Sequence, residues 1–146
     1  MNFLAIILAS LTIMWGSIVL QDASEIPNAV KHAFTRNFDV PSEVTWKKTR
    51  NGYEVDFNLA DVAHAARYTA DGELLMIKMA LNEQDLPPVI GQRIIDNYRQ
   101  YAIEEVYQIK AGDRLLFQVA LSGPSEDRKV VFNQKGEVDD TFSYWN

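Results

Sequence analysis

The residue types that could do chemistry are few in this chain, and they are not grouped for it. Two pairs of neighbouring carboxylates occur, Glu104-Glu105 and Asp139-Asp140. Neighbouring residues of a strand point to opposite faces, so neither pair can act jointly as general acid and base. A turn could bring Asp61 close to His64, but the sequence offers no further metal ligand beside them. We therefore predict ordinary surface roles for these residues, no catalytic group and no metal site.

The other reactive residue types support the same interpretation. The chain has no cysteine, which excludes disulfides, thiolate metal sites, iron–sulfur clusters and thiol catalysis. His32 has no recognisable nucleophile to serve, and Ser122, Ser125 and Ser143 lack the sharp turn that exposes a nucleophilic serine. The seven glycines are scattered singly, so they form no glycine-rich phosphate-binding loop. These observations predict a protein that is not an enzyme and needs no cofactor.

The composition is that of a folded, acidic protein. The chain has 146 residues, 47% of them hydrophobic and 11% aromatic, which allows one domain or two small modules. Its 14 Lys+Arg and 20 Asp+Glu give a formal net charge of -6. Nucleic acid and anionic membrane surfaces attract basic patches, so this charge argues against either as a partner.

An uncharged apolar segment lies near the start of the chain. Residues 3–20 carry no charged side chain, the first acid is Asp22 and the first base is Lys31. This pattern, with a small residue at position 23, is typical of a cleaved export signal, which we predict over residues 1–23. The run also approaches the roughly 20 residues that span a bilayer, so an uncleaved anchor at residues 3–20 is the alternative. The predicted location is periplasmic or secreted, or membrane-anchored in the alternative.

The next stretch has the pattern of a helix followed by strands. Apolar residues recur at helical spacing between positions 26 and 38, and Ser24 is the predicted N-cap. Apolar and polar residues then alternate, and the favoured tight turns Asn51-Gly52 and Asp71-Gly72 interrupt the alternation. The pattern predicts a helix and four antiparallel strands over residues 24–82.

The same pattern restarts sixty residues later, where Leu86-Pro87 repeats Ile26-Pro27. The spacing of later matches drifts by a few residues, as short loop insertions in a duplicated unit would cause. The sequence therefore predicts an α+β fold, a tandem repeat of a helix followed by a four-stranded antiparallel sheet, with units over residues 24–82 and 83–146. Units of about 60 residues are marginal alone, so a shared core or continuous sheet is expected. The last predicted strand contains Val138, Phe142 and Tyr144.

One set of core and turn residues carries a family resemblance. Its members, in chain order, are Ile26-Pro27, Phe34, Phe38, Val44, Trp46, Tyr53, Val55, Phe57, Asp71-Gly72-Glu73 and Leu86-Pro87. This order resembles the PepSY-like family, which is described as similar to the β-lactamase-inhibitor proteins, and the resemblance covers about residues 24–144. It implies an α+β module, present in tandem and located outside the cytoplasm. The inhibitor proteins that it resembles bind an enzyme through the exposed face of their sheet.

The strand alternation also predicts a polar sheet face. Positions between the apolar residues of a strand point away from the helices, and here they carry both charges, which suits contact with a polar protein or peptide. A plain solvated face, which antiparallel sheets commonly have, is the favoured interpretation of these positions, and a contact surface is the alternative. Trp46 is predicted in the core, and Trp145 is either a core residue, which we favour, or an exposed anchor. The candidate binding residues are Lys47, Glu54, Asp56, Arg67, Gln118 and Lys129.

Three functions are compatible with these features. The first is a non-catalytic exported binding module, such as a protein or peptidase inhibitor, which grips an exported or envelope protein through its open sheet face. The second is an envelope structural domain anchored by residues 3–20. The third is a small-ligand carrier with a cavity between helices and sheet, although the large side chains of Phe34, Phe38, Trp46 and Phe57 favour a filled core.

Overall fold

The computed structural model describes residues 25–146, and they form seven strands and two helices. Helix α1 precedes the first four strands, and helix α2 separates them from the last three. In chain order the elements are α1 (Asn28–Asn37), β1 (Ser42–Thr49), β2 (Gly52–Leu59), β3 (Val62–Tyr68), β4 (Leu74–Leu81), α2 (Pro88–Asn97), β5 (Ala102–Ala111), β6 (Arg114–Ser122) and β7 (Arg128–Asn133). The predicted export segment, residues 1–23, and the predicted N-cap Ser24 lie outside the described residues.

The strands form one continuous antiparallel sheet in the order β1 to β7. Strand β4 pairs directly with β5, from Met76 opposite Ala111 to Leu81 opposite Val106. The predicted tandem repeat of a helix and a four-stranded sheet is therefore wrong. The described chain is a mostly β protein with a single seven-stranded sheet, in which β4 and β5 share backbone hydrogen bonds instead of forming the edges of separate sheets.

The predicted eighth strand is replaced by a segment that leaves the sheet. After β7 only one isolated bridge forms, between Val138 and Phe132. Asp139 then accepts hydrogen bonds from the backbone N–H of Thr141 at 3.0 Å and from its hydroxyl at 2.6 Å, a local turn that competes with strand pairing. Residues 139–146, here called the C-terminal segment, pass to the face of the sheet opposite the helices.

Helix α1 packs on one face of the first four strands. It begins after Pro27 and buries Val30, Ala33 and Phe34, which lie on one side of a helix. The Phe34 ring lies 5.3 Å from the Trp46 ring and 5.0 Å from the Phe57 ring, centroid to centroid. These aromatic contacts fill the space between α1 and the sheet, and the prediction that Trp46 packs in the core is confirmed.

Helix α2 packs on the same face of the last three strands. Its buried residues Ile90 and Ile94 contact alternate residues of β6, namely Phe117 and Val119, together with Phe132 of β7. The residues of β6 that alternate with these two point to the opposite face of the sheet. One of them, Leu116, belongs to a third core there. That third core consists of Ala65, Ile109, Leu116, Val131 and Trp145. The sheet is thus covered by helices on one face and by the C-terminal segment on part of the other.

Among residues 25–146, neither helix is long and apolar enough to cross a membrane.

Candidate binding face

Charged residues from β1, β2 and β3 lie together on the face opposite the helices. In the strand register, Glu54 lies directly between Lys47 on one side and Arg67 on the other. The Arg67 Nε donates a hydrogen bond to Glu54 Oε2 at 2.7 Å, and Lys47 Nζ lies 3.8 Å from Glu54 Oε1. Lys47 also pairs with Asp56, and this hydrogen bond raises the pKa of Lys47. Four of the six candidate residues therefore form one network on this face.

The C-terminal segment covers part of this network. Trp145 is 1% exposed, and its indole Nε1 donates a hydrogen bond to Glu54 Oε2 at 3.0 Å. Only 5% of Glu54 and none of Gln118 is exposed, so the predicted exposure of these two residues is wrong. They are buried because the C-terminal segment lies over them. The favoured core position of Trp145 is confirmed, although its core lies on the face away from the helices.

The other two predicted residues contact the same segment. The Gln118 side chain accepts a hydrogen bond from the Trp145 backbone N–H at 2.7 Å and donates one to the Trp145 carbonyl at 2.9 Å. Lys129 donates to the Asn146 side-chain oxygen at 2.6 Å, and its ammonium lies 4.9 Å from the centre of the Tyr144 ring. Both residues thus hold the C-terminal segment, and Lys129 is exposed at the same time.

Lys78 is a site residue that the sequence interpretation missed. Its ammonium donates to the Trp145 carbonyl at 3.0 Å and lies 4.9 Å from the centre of the Tyr107 ring. Burial lowers the pKa of Lys78, and Glu54 and Asp56 act in the opposite direction. The sequence signal that could have identified Lys78 is its position as the one charged residue in the otherwise apolar strand Leu74–Leu81. A charge on a half-buried strand needs partners.

A half-open cavity of about 280 Å³ lies beside the covered part of the face. Asp56 and Asn58 of β2, Lys78 of β4 and Tyr107 of β5 line it. Asn58 donates a hydrogen bond to Glu43 Oε2 at 2.5 Å across the β1–β2 pair, which positions the carboxylate at the rim. The cavity offers carboxylate, amide and ammonium groups together with an aromatic ring, which can bind a polar side chain.

Within residues 25–146, no three histidine, cysteine, aspartate or glutamate side chains are grouped so that they could hold a metal ion.

The comparisons with known proteins identify the fold. No protein-family model and no curated protein matches the chain. A protein described as periplasmic from Bacteroides eggerthii is 16% identical, with a TM-score of 0.73, over 77% of this chain and 84% of that one. A DUF2874 family protein from Bacteroides uniformis is 14% identical, with a TM-score of 0.72, over 77% and 85%. A BLIP-like protein from Bacteroides fragilis is 17% identical, with a TM-score of 0.67, over 81% and 93%.

At these identities the likeness concerns the fold alone. The fold is that of the DUF2874 and BLIP-like structures, and these comparisons do not support the PepSY-like family specifically. The part of the sequence resemblance that pointed to the β-lactamase-inhibitor-like fold is therefore confirmed.

Proposed function

We propose that this chain is a non-catalytic exported binding module that binds an exported or envelope protein through the open part of its sheet face. The open part consists of the Lys47–Asp56 pair and the neighbouring cavity. The observation that carries the proposal is this cavity, which lies between charged side chains on the face that the helices do not cover. Two structural neighbours support it, one described as periplasmic and one as BLIP-like. The proposed location is the periplasm or the secreted fraction.

The lining of the cavity suits a protein partner. Its volume of about 280 Å³ lies at the lower end of the roughly 300–1,000 Å³ of ordinary small-molecule pockets, and charged and amide side chains line it. A space of that size accepts one side chain of a partner, and interface energy is concentrated where such an anchor fills a pocket inside a polar rim. The rim side chains of Lys47 and Asp56 are 53% and 40% exposed, so a partner surface of complementary charge can reach the ion pair that they form.

The finer form of the proposal is an inhibitor whose partner is an exported enzyme. The BLIP-like neighbour supports this form by its name, which refers to a β-lactamase-inhibitor-like protein. The small-ligand alternative is less favoured, because aromatic side chains fill the space between α1 and the sheet. The anchored alternative depends on residues 3–20, which lie outside the described residues.

Charge reversal at the rim tests the proposed face. Wild type, Asp56→Lys and the control Asp96→Lys are immobilised and exposed to the periplasmic and secreted fractions of the source cells. Asp96 is an exposed aspartate of α2, on the opposite layer of the molecule, so it matches the charge change without altering the face. We expect a protein that is retained by wild type and Asp96→Lys and weakened about tenfold or more by Asp56→Lys.

Two outcomes would overturn the proposed face. Equal retention by all three variants would show that binding does not use the rim. Loss with both substitutions would show a response to net charge alone. Urea unfolding of each variant establishes that the fold is intact, since an exposed ion pair contributes about 1 kcal/mol or less.

A further inference from the structure

The C-terminal segment is held in a site that satisfies every polar group of one tryptophan. The Trp145 backbone N–H donates to Gln118 Oε1 at 2.7 Å, and its carbonyl accepts from Gln118 Nε2 at 2.9 Å and Lys78 Nζ at 3.0 Å. Its indole N–H donates to Glu54 Oε2 at 3.0 Å. The Gln118 amide thus pairs with the backbone of Trp145 in both directions, as a neighbouring strand would.

The same site is built around the aromatic ring. The Arg67 guanidinium lies 4.3 Å from the ring centre of Trp145 and the Lys78 ammonium lies 5.1 Å from it, both within the range of cation–π attraction. Ala65 and Ile109 of the third core pack with the indole. The ring is therefore recognised by cations and apolar surface, and its N–H by a carboxylate.

The site matches an N–H, a carbonyl and an indole at the same time. Gln118, which the C-terminal segment buries completely, makes two hydrogen bonds to the backbone of Trp145. Glu54, 5% exposed, accepts the indole donor and the Arg67 donor. An occupant that covered the site but lacked one of these groups would leave a buried polar side chain without its partner, which is costly, so the site favours an occupant that carries all three.

Beyond its first residue, the present occupant is attached to the sheet through side chains. Asp139 donates a backbone hydrogen bond to the Val131 carbonyl at 2.8 Å, and residues 140–146 belong to none of the seven strands of the described structure. The attachments of the C-terminal segment outside Trp145 also include the Arg114–Asp139 ion pair, the 2.6 Å hydrogen bond from Lys129 to Asn146 and the contact of Lys129 with the Tyr144 ring. A segment without a backbone ladder opens at a lower free energy than the strands beneath it.

We infer that Glu54, Arg67, Lys78 and Gln118 form a recognition site for an extended, tryptophan-bearing peptide segment, and that the C-terminal segment is its exchangeable occupant. A partner segment of the same chemistry binds where Trp145 lies after the C-terminal segment has moved away. Gln118 forms hydrogen bonds with the backbone N–H and carbonyl of the incoming residue. Glu54 distinguishes tryptophan from phenylalanine by accepting a hydrogen bond from the indole N–H.

The test adds the segment to a full-length chain whose own tryptophan is removed. A peptide of residues 142–146, acetylated at its amino end, is titrated into Trp145→Ala and into wild type by calorimetry. We expect saturable binding to Trp145→Ala, and binding about tenfold or more weaker to wild type, because the native segment competes for the site. The same peptide with phenylalanine in place of Trp145 should bind Trp145→Ala about tenfold more weakly, because it lacks the hydrogen bond to Glu54.

Two further substitutions distinguish binding at this site from non-specific binding of the peptide. Adding Gln118→Ala to Trp145→Ala should abolish binding, whereas adding Gln92→Ala, an exposed glutamine of α2, should leave it unchanged. Binding that survives Gln118→Ala, or no binding to Trp145→Ala with a native-like circular dichroism spectrum, would overturn the inference.

A second measurement applies to wild type and does not depend on the folding of Trp145→Ala. The indole N–H of Trp145 should exchange with solvent at least tenfold faster than the slowest amides of β6, because it is released by local opening. Exchange at the same rate as those amides would show that the segment leaves only on global unfolding, and would overturn the exchange. Neither measurement involves an external partner, so their failure is distinguishable from failure of the proposed function, which is tested at Asp56.

Discussion

At the scale of single residues, Glu54 is the charge on which the sheet face depends. It is 5% exposed and accepts hydrogen bonds from the Arg67 guanidinium and the Trp145 indole through the same oxygen. A buried carboxylate is tolerated only when such donors surround it. Its contribution is therefore measured best by a substitution that keeps its shape and removes its charge.

Glu54→Gln should lower the free energy of unfolding by about 1–3 kcal/mol, because two charge-assisted hydrogen bonds become weaker and Arg67 loses its ion-pair partner. The magnitude is kept modest because Arg67 is 34% exposed and partly screened. Urea unfolding measures the effect. The matched control is Glu126→Gln, which removes an exposed ion pair with Arg128 and should change stability by about 0.5 kcal/mol or less. Equal effects of the two substitutions would contradict the role of Glu54.

The sequence predicts which face of the sheet the candidate residues point to, but it does not predict which of them another part of the chain covers. Alternation along β2 places Glu54 and Asp56 on the face away from the helices, because the side-chain period of a strand is two residues. Whether such a residue is open to solvent depends on what lies above it. The hydrogen bond from Trp145 to Glu54 joins residues 91 positions apart, and no local pattern encodes a contact of that separation.

Tyr68 gives the protein a specific sensitivity to alkaline pH. Its ring is fully buried under α1, and its hydroxyl accepts a hydrogen bond from Asn37 at 3.2 Å. Burial raises the pKa of Tyr68 above the ordinary value of 10.0. Between 10.0 and the higher folded pKa the unfolded state binds fewer protons than the folded state, so stability falls as pH rises through this window.

Tyr68→Phe should therefore lose less stability than wild type when the pH is raised from well below 10.0 to just above it. Burial also raises the pKa of Tyr107 and Tyr144, but these residues remain in both proteins and cancel in the comparison. Urea unfolding at the two pH values measures the difference. Parallel losses in wild type and Tyr68→Phe would show that Tyr68 does not contribute.

At the scale of elements, two glycines with equal space around them should respond to alanine in opposite directions. A Cβ added to Gly91, inside α2, or to Gly112, in the β5–β6 turn, would meet no atom within 4 Å. Gly112 has a φ of +59°, which only glycine adopts without strain, whereas Gly91 is helical. Backbone conformation is thus the difference between them.

Gly91→Ala should raise the free energy of unfolding by about 0.5–1 kcal/mol, because alanine has the higher helix propensity. Gly112→Ala should lower it by about 1 kcal/mol, because an alanine at this φ is strained. Thermal or urea unfolding of the two variants measures both signs. A destabilised Gly91→Ala would show that α2 needs flexibility or an unseen contact at this position.

The elements themselves were predictable where the pattern is local. Alternation and tight turns such as Asn51-Gly52 predict hairpins, and the structure has β1 pairing with β2 around that turn. The last predicted strand failed although its apolar spacing was suitable. The cause is the turn at Asp139 and Thr141, reinforced by the ion pair between Arg114 and Asp139, which directs the chain over the sheet. Whether a segment pairs with a neighbouring strand depends on tertiary contacts, and the spacing of its own apolar residues does not reveal these.

At the scale of the whole molecule, one sheet joins two helix-covered cores. One core lies under α1 and the other under α2, and the direct pairing of β4 with β5 joins the two parts of the sheet on which they rest. The third core, on the other face, contains Ala65 from β3 with Ile109, Leu116 and Val131 from β5 to β7. Trp145 then bonds to Glu54 of β2 and to Gln118 of β6, so the C-terminal segment spans both halves. Each half therefore contributes to the packing of the other.

This arrangement predicts a single cooperative unfolding transition. Ile90→Ala removes a fully buried side chain from the core under α2 and should lower stability by about 2–5 kcal/mol. If the halves unfold together, this substitution should accelerate the slowest exchange of the Val55 amide in β2 as much as that of the Val119 amide in β6. Val30→Ala, in the core under α1, should likewise accelerate both. Acceleration confined to the half that carries the substitution would show two independently folding units, and would contradict the coupling through β4, β5 and Trp145.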